Sequence, residues 1–131
     1  MIKFFFNNKI IFYLINSILI IIYLFPGSLP GLLIYGDKNI QPQITSDFLI
    51  SSNHFYVFFL ISMIGYLSFI ELRQIKVLTI YLILLSIVLE IFHLIIPFRS
   101  FEWPDLFGNL FGVCVVILIK NLINKYEIFK K

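Results

Sequence analysis

Val77-Leu-Thr-Ile-Tyr-Leu-Ile-Leu-Leu-Ser-Ile-Val-Leu-Glu90-Ile-Phe-His93-Leu-Ile-Ile96, closed by Pro97, is the longest apolar run in the chain and the stretch on which its fold turns. At about 1.5 Å per helical residue it matches a bilayer core of about 30 Å, a length that a soluble helix rarely needs. It carries one acid and one histidine near its end. An ionisable group inside such a run is costly unless it is paired, so Glu90 demands a partner from elsewhere in the chain.

Working outward, three more apolar segments appear: Ile10 to Phe25, His54 to Ile70 and Leu106 to Ile119. The first ends at the breaker Pro26-Gly27-Ser28-Leu29-Pro30. Lys3 and Lys9 precede it, as in a secretory leader, but no Ala-x-Ala-like cleavage site follows, so it reads as an uncleaved helix. The chain is predicted to be all-α: an integral membrane four-helix bundle with helices over about 9–25, 53–70, 77–97 and 105–120 and an outer loop over 26–52. The shorter segments would borrow flanking residues to span.

Composition agrees. Hydrophobic residues make up 60% of the 131 and charged residues 13%, against about 45–50% and about 25% in soluble domains. A soluble fold of this size would expose apolar patches beyond what water tolerates. The net charge of +3 does not point to nucleic acid, because the basic residues are scattered between apolar runs. With an inside N terminus, Lys3, Lys9, Arg73, Lys76, Lys120, Lys125, Lys130 and Lys131 fall on the cytoplasmic side and only Lys38 and Arg99 outside. That bias predicts both termini in the cytoplasm and the loops 26–52 and 97–104 together on the outer face. Cys114 is the single cysteine, which excludes an intramolecular disulfide, and it is expected to be a small packing residue.

Glu90 and His93 share a helix face near its outer end, with Pro97 continuing it. The fourth segment offers Asp105, Asn109 and Gly112 at i, i+4 and i+7, with Gly108 beside them. Gly108 and Gly112 are expected to permit close helix packing. On the second segment His54 opens a stripe through Phe58, Ser62 and Gly65. Arg99, in the loop between the third and fourth helices, is the expected cation for Glu90 or Asp105. His54, Glu90, His93, Arg99, Asp105 and Asn109 are therefore predicted to converge as one polar, ligand-binding cluster, with Trp103 as an interfacial anchor and Asp47 to Ile50 resting at the interface. Asp105 and Asn109 also suit simple capping and packing of the fourth helix. The carboxylates and histidines have zinc-compatible chemistry, but no two-histidine spacing motif is present, and no metal or cofactor is expected.

These residues carry a resemblance. Glu90-Ile-Phe-His93-Leu-Ile-Ile-Pro97-Phe-Arg99-Ser-Phe-Glu-Trp-Pro-Asp105-Leu-Phe-Gly-Asn109-Leu-Phe-Gly112 resembles the signature of the VanZ-like membrane proteins in order and spacing. The Pro-Gly-Ser turn after the first helix and His54-Phe55 extend the likeness over 24–112. His93 stands where that family usually has Gln, and Ile50-Ser51 replace a usual Asp-Lys pair. The resemblance implies a compact four-helix domain of the bacterial cytoplasmic membrane, in a family named for a protein associated with low-level glycopeptide resistance, and it implies no reaction.

The leading functional expectation is recognition of an amphiphilic envelope molecule, a lipid-linked sugar or a lipid headgroup, at the outer leaflet. Arg99 would contact its anionic group, Asn109 and His93 would orient it, and Glu90 with Asp105 would hold Arg99. An enzyme acting on an envelope lipid, with Glu90 or His93 as acid or base, is the alternative; Ser52 and Ser100 sit in no nucleophile elbow or triad. A structural module, self-associating or bound to a membrane-protein partner, is the third. Membrane lipids or a lipid-linked envelope precursor are the expected partners.

Overall fold

The computed structural model describes residues 9–128. Among them are five helices and no strand: α1 (Lys9–Leu24), α2 (Leu29–Tyr35), α3 (Ser52–Ser68), α4 (Leu72–Phe92) and α5 (Trp103–Ile128). Lys3, Lys130 and Lys131 of the charge count lie outside the described residues. Two helices, Leu72–Phe92 and Trp103–Tyr126, are long and apolar enough to cross a membrane, and α1 with α2 forms a pair bent by 85°.

The apolar periodicity sorts the side chains cleanly. Phe12, Leu19 and Tyr23 of α1, Phe58 and Ile61 of α3, Leu78, Leu82 and Leu89 of α4 and Val113 of α5 form one buried cluster. Leu14 and Ile21, Ile80 and Leu84, and Phe107 and Phe111 point outward from the same helices. At i and i+4 or i+7 these make continuous apolar outer stripes, the reverse of a soluble helix's polar face. Cys114 is exposed on that outer surface, so its predicted role in packing is corrected.

Helix α3 pairs most extensively with α5. The glycines set the distance: a Cβ at Gly108 would lie 2.7 Å from the Ser51 carbonyl oxygen, and one at Gly112 would lie 2.7 Å from that of Phe55 and 2.8 Å from the Phe59 nitrogen. Both are backbone neighbours that cannot swing away. Gly112→Ala is expected to cost about 1–3 kcal/mol by overpacking, reduced by up to about 1 kcal/mol of gained helix propensity. A lowered thermal midpoint of the purified protein with unchanged helix content checks this.

The predicted helix ends shift in three places. Helix α4 starts at Leu72 rather than 77, because the good helix formers Arg73, Gln74 and Lys76 prolong it. It stops at Phe92 rather than 97, and the chain tightens through Leu94 N–H to Ile91 O and Ile95 N–H to Phe92 O, both 3.0 Å. Pro97 explains the stop, since it lacks a donor and keeps the preceding residue out of the α region. Pro97 therefore does not continue the helical face of Glu90. Helix α5 runs past 120 to Ile128.

The expected loop 26–52 contains α2. Ser28 caps it, its hydroxyl accepting from Gly31 N–H at 3.0 Å, Pro30 sits in its first turn, and Gly36 ends it at φ 71°. Gly31 is seated against the strand of loop behind it, where a Cβ would stand 1.7 Å from the Ile40 carbonyl oxygen. The remaining loop is stapled to α3: Asn53 Nδ2 donates to Pro42 O at 2.7 Å, Ser52 N–H to Asp47 Oδ1 at 2.7 Å, and Ser52 Oγ to Thr45 O at 2.6 Å.

Candidate functional site

The polar residues that the sequence singles out meet at one end of the packed helices. His54 is on α3, Glu90 at the end of α4, His93 at its cap, and Asp105 and Asn109 on α5. Glu90, His93 and Asn109 are fully enclosed and His54 nearly so, while Asp105 is partly open.

Helical spacing explains the arrangement on each element. Asp105 and Asn109 lie one turn apart, so both face α3, with Gly108 and Gly112 bringing that helix close. Asn109 Nδ2 donates to the Ser86 carbonyl at 3.3 Å, and because a carbonyl only accepts, this fixes the amide's orientation. Its Oδ1 then accepts from Tyr23 Oη at 2.9 Å and faces His54 Nδ1 at 3.0 Å. Nδ1 therefore carries the proton, and Tyr23 Oη at 3.2 Å offers it a second acceptor. The other ring nitrogen, Nε2, faces Asp105 Oδ2 at 3.2 Å.

His93 is built by the same logic. Its Nε2 faces the Tyr23 carbonyl at 3.1 Å and must donate to it, and its Nδ1 faces Glu90 Oε1 at 3.3 Å. Glu90 Oε1 also accepts from Glu102 N–H at 3.0 Å, which ties α4 to the loop before α5. Each histidine thus has one nitrogen pinned as a donor by a neutral oxygen and the other aimed at a carboxylate. Glu90 Oε2 is buried with no hydrogen-bond partner and lies 3.9 Å from His54 Nδ1. One donor atom each from His54, Glu90 and Asp105, on three different helices, lie within 4.8 Å of one another.

Arg99 departs from expectation. It makes no ion pair with Glu90 or Asp105; its Nη2 donates to Ile22 O at 3.3 Å and its Nε to Phe25 O at 3.5 Å. These carbonyls belong to the C-terminal turn of α1 and the residue just beyond it, where unpaired carbonyls and the negative end of the helix dipole favour a cation. Burial draws its guanidinium down from the ordinary value, with Asp105 and Glu90 acting in the opposite direction. It stays charged, as arginine does in proteins.

Tyr23 is the residue that sequence reasoning missed. It joins His54 and Asn109 through its hydroxyl and stacks on His93, ring centroids 5.9 Å apart. Its apolar surroundings in the first run disguise it as an interfacial aromatic. Trp103, the predicted anchor, is exposed and stacks on Phe107.

Two cavities open beside the cluster. One of about 300 Å³ is lined mainly by Ile22, Tyr23, Pro30, Ile34, Pro42, Ile44 and Val57, with His54 and Asn53. The other, about 230 Å³, is polar and lined by Lys38, Asn39, His93, Ser100, Glu102 and Asp105 among others. Ser28, Gln41 and Arg99 line both. Lys38 Nζ stands 3.8 Å over the Phe98 ring at the polar one. No family model, curated protein or solved structure matches the chain.

Proposed function

We propose that the chain is a VanZ-like integral membrane protein with four membrane-crossing helices and both termini in the cytoplasm, and that it recognises an anionic amphiphile of the cell envelope at the outer leaflet. The observation that carries this reading is the pair of adjoining cavities. One is apolar, one is polar with Lys38 and Arg99 in its wall, and Ser28, Gln41 and Arg99 form the seam between them. An amphiphile has the same division between acyl chain and headgroup.

The apolar outer stripes of α4 and α5 support membrane insertion, and the basic bias supports the orientation. Phe48 and Leu49 stand almost fully exposed on the same end as the cavities, as side chains meant for an interface would. A membrane enzyme acting on the same lipid is favoured by the His93–Glu90 and His54–Asp105 pairs, which suit proton transfer. Neither candidate serine is paired with a histidine base: Ser52 Oγ donates to Thr45 O and Ser100 Oγ to Glu102 Oε1.

The test is retention of lipids by purified protein. Anionic lipids or lipid-linked precursors are expected to be enriched over zwitterionic ones, and Lys38→Gln and Arg99→Ala are each expected to weaken that retention by about tenfold or more, the worth of a hydrogen bond to a charged group. Equal retention of every lipid class by all three proteins would remove the proposal.

A further inference from the structure

We propose that His54, Glu90 and Asp105 form a binding site for a divalent metal ion of zinc's class where α3, α4 and α5 meet. This goes beyond recognition of an amphiphile and does not rest on it.

The first support is the unfilled demand of the oxygen and nitrogen atoms. Asn109, fixed by the Ser86 carbonyl, keeps the His54 proton on Nδ1, so the neutral ring presents its Nε2 lone pair to Asp105 Oδ2 at 3.2 Å. Two acceptors face one another, so a proton or a metal ion belongs between them, and titration with Zn²⁺ distinguishes the two. Glu90 is likewise half satisfied: Oε1 accepts from Glu102 N–H and faces His93 Nδ1, whereas Oε2 is buried without a hydrogen-bond partner, 3.9 Å from His54 Nδ1. A buried carboxylate oxygen left bare is expensive, and an ion repays it.

The second support is geometric. Two ligands bound to tetrahedral zinc at about 2.0–2.1 Å lie about 3.4 Å apart, close to the 3.2 Å between His54 Nε2 and Asp105 Oδ2. One donor atom from each of the three residues lies within 4.8 Å of the other two, and the bare Glu90 Oε2 is 3.9 Å from the His54 ring at Nδ1, so closing on one ion requires the Glu90 carboxylate to swing toward Nε2. One imidazole and two carboxylates form a three-ligand set, which leaves a fourth position open. Asp105 also lines the polar cavity, so that position is reached from solvent or by an anionic ligand.

The third support is the surrounding shell. Metal-bound histidines donate their other nitrogen to a fixed acceptor, and metal-bound carboxylates are themselves hydrogen-bonded. His54 has Asn109 behind it and Asn109 has Ser86; Glu90 has His93 behind it and His93 has the Tyr23 carbonyl. The sequence shows no metal motif because each ligand comes from a different helix.

The experiment uses the full chain, purified without a metal-binding tag, stripped with chelator and titrated with Zn²⁺ alone. One ion per chain is expected by calorimetry and elemental analysis. Asp105→Asn is expected to lower affinity by about 100-fold or more and Asn109→Leu by about 10–100-fold, while Cys114→Ser, remote on the outer surface, leaves it unchanged. No retained ion in the wild type, equal binding by Asp105→Asn, or loss in Cys114→Ser would each overturn the site. The Co²⁺-loaded wild type needs no variant: an intense visible band of a tetrahedral nitrogen and oxygen site is expected, and a spectrum identical to Co²⁺ in buffer refutes it.

Discussion

Glu90→Ala is expected to destabilise the protein by about 3–5 kcal/mol, from a buried donor left unsatisfied together with the cavity left by a large-to-small change in a closed site. The substitution strips the acceptor from Glu102 N–H, removes the carboxylate that faces His93 Nδ1, and empties a fully enclosed position. The damage should localise to the junction of α4 with the loop before α5. Glu90→Gln keeps the shape and one acceptor oxygen, so it should retain more than half of what the alanine loses. Lys125→Ala, on an exposed turn of α5, should change stability by less than about 0.5 kcal/mol. Denaturant titration of the three purified proteins in one detergent orders them. An alanine variant as stable as Lys125→Ala would mean that this carboxylate does not hold the loop.

Gly31→Ala is the second large effect, and it acts outside the polar cluster. A Cβ there would lie 1.7 Å from Ile40 O and 2.8 Å from Asp37 O, both backbone atoms. The clash cannot be relieved by a rotamer, so the cost should exceed the roughly 1–3 kcal/mol usual for overpacking. Helix α2 would separate from the segment that carries Lys38 and Gln41, and the seam between the two cavities would open. Loss of lipid retention together with a lowered thermal midpoint is the expected result. Gly36→Ala is the informative contrast: its Cβ meets nothing within 4 Å, but its φ of 71° is left-handed. It should cost about 1–2 kcal/mol from backbone strain alone and leave lipid retention intact.

Much of the helix layout is legible because long apolar runs separated by Pro, Gly and charge have few other readings. The meeting of His54, Glu90, Asp105 and Asn109 is legible too: a buried acid must be compensated, and the i, i+4 stripe on α5 names the candidates. Other features are hidden for physical reasons. Sequence displays side-chain acceptors and so points Arg99 to carboxylates, whereas the carbonyls at the end of α1 appear only once a helix end is placed beside them. Tyr23 is indistinguishable in an apolar run from an aromatic facing lipid. Helix α2 is hidden because Pro26, Gly27 and Pro30 read as breakers, although Ser28, Pro30 and Gly36 together are a start, a first-turn proline and a stop. The end of α4 is masked because Leu94, Ile95 and Ile96 stay apolar, and only the conformational reach of Pro97 betrays the turn.

Helix α3 ends sharply at both sides, and its 17 residues give about 26 Å, short of a hydrocarbon layer of about 30 Å. Leu60, Met63 and Leu67 line its outer side. If α3 crosses the bilayer, as the proposed four-helix arrangement requires, the lipids against that side would meet a wall too low for them and form a dimple, at a cost of fractions of a kcal/mol per ångström of mismatch. Two copies that share one dimple deform less membrane than two apart. On that arrangement the shortness of α3 would supply an attraction between copies that needs no complementary surface, growing stronger as the surrounding acyl chains lengthen.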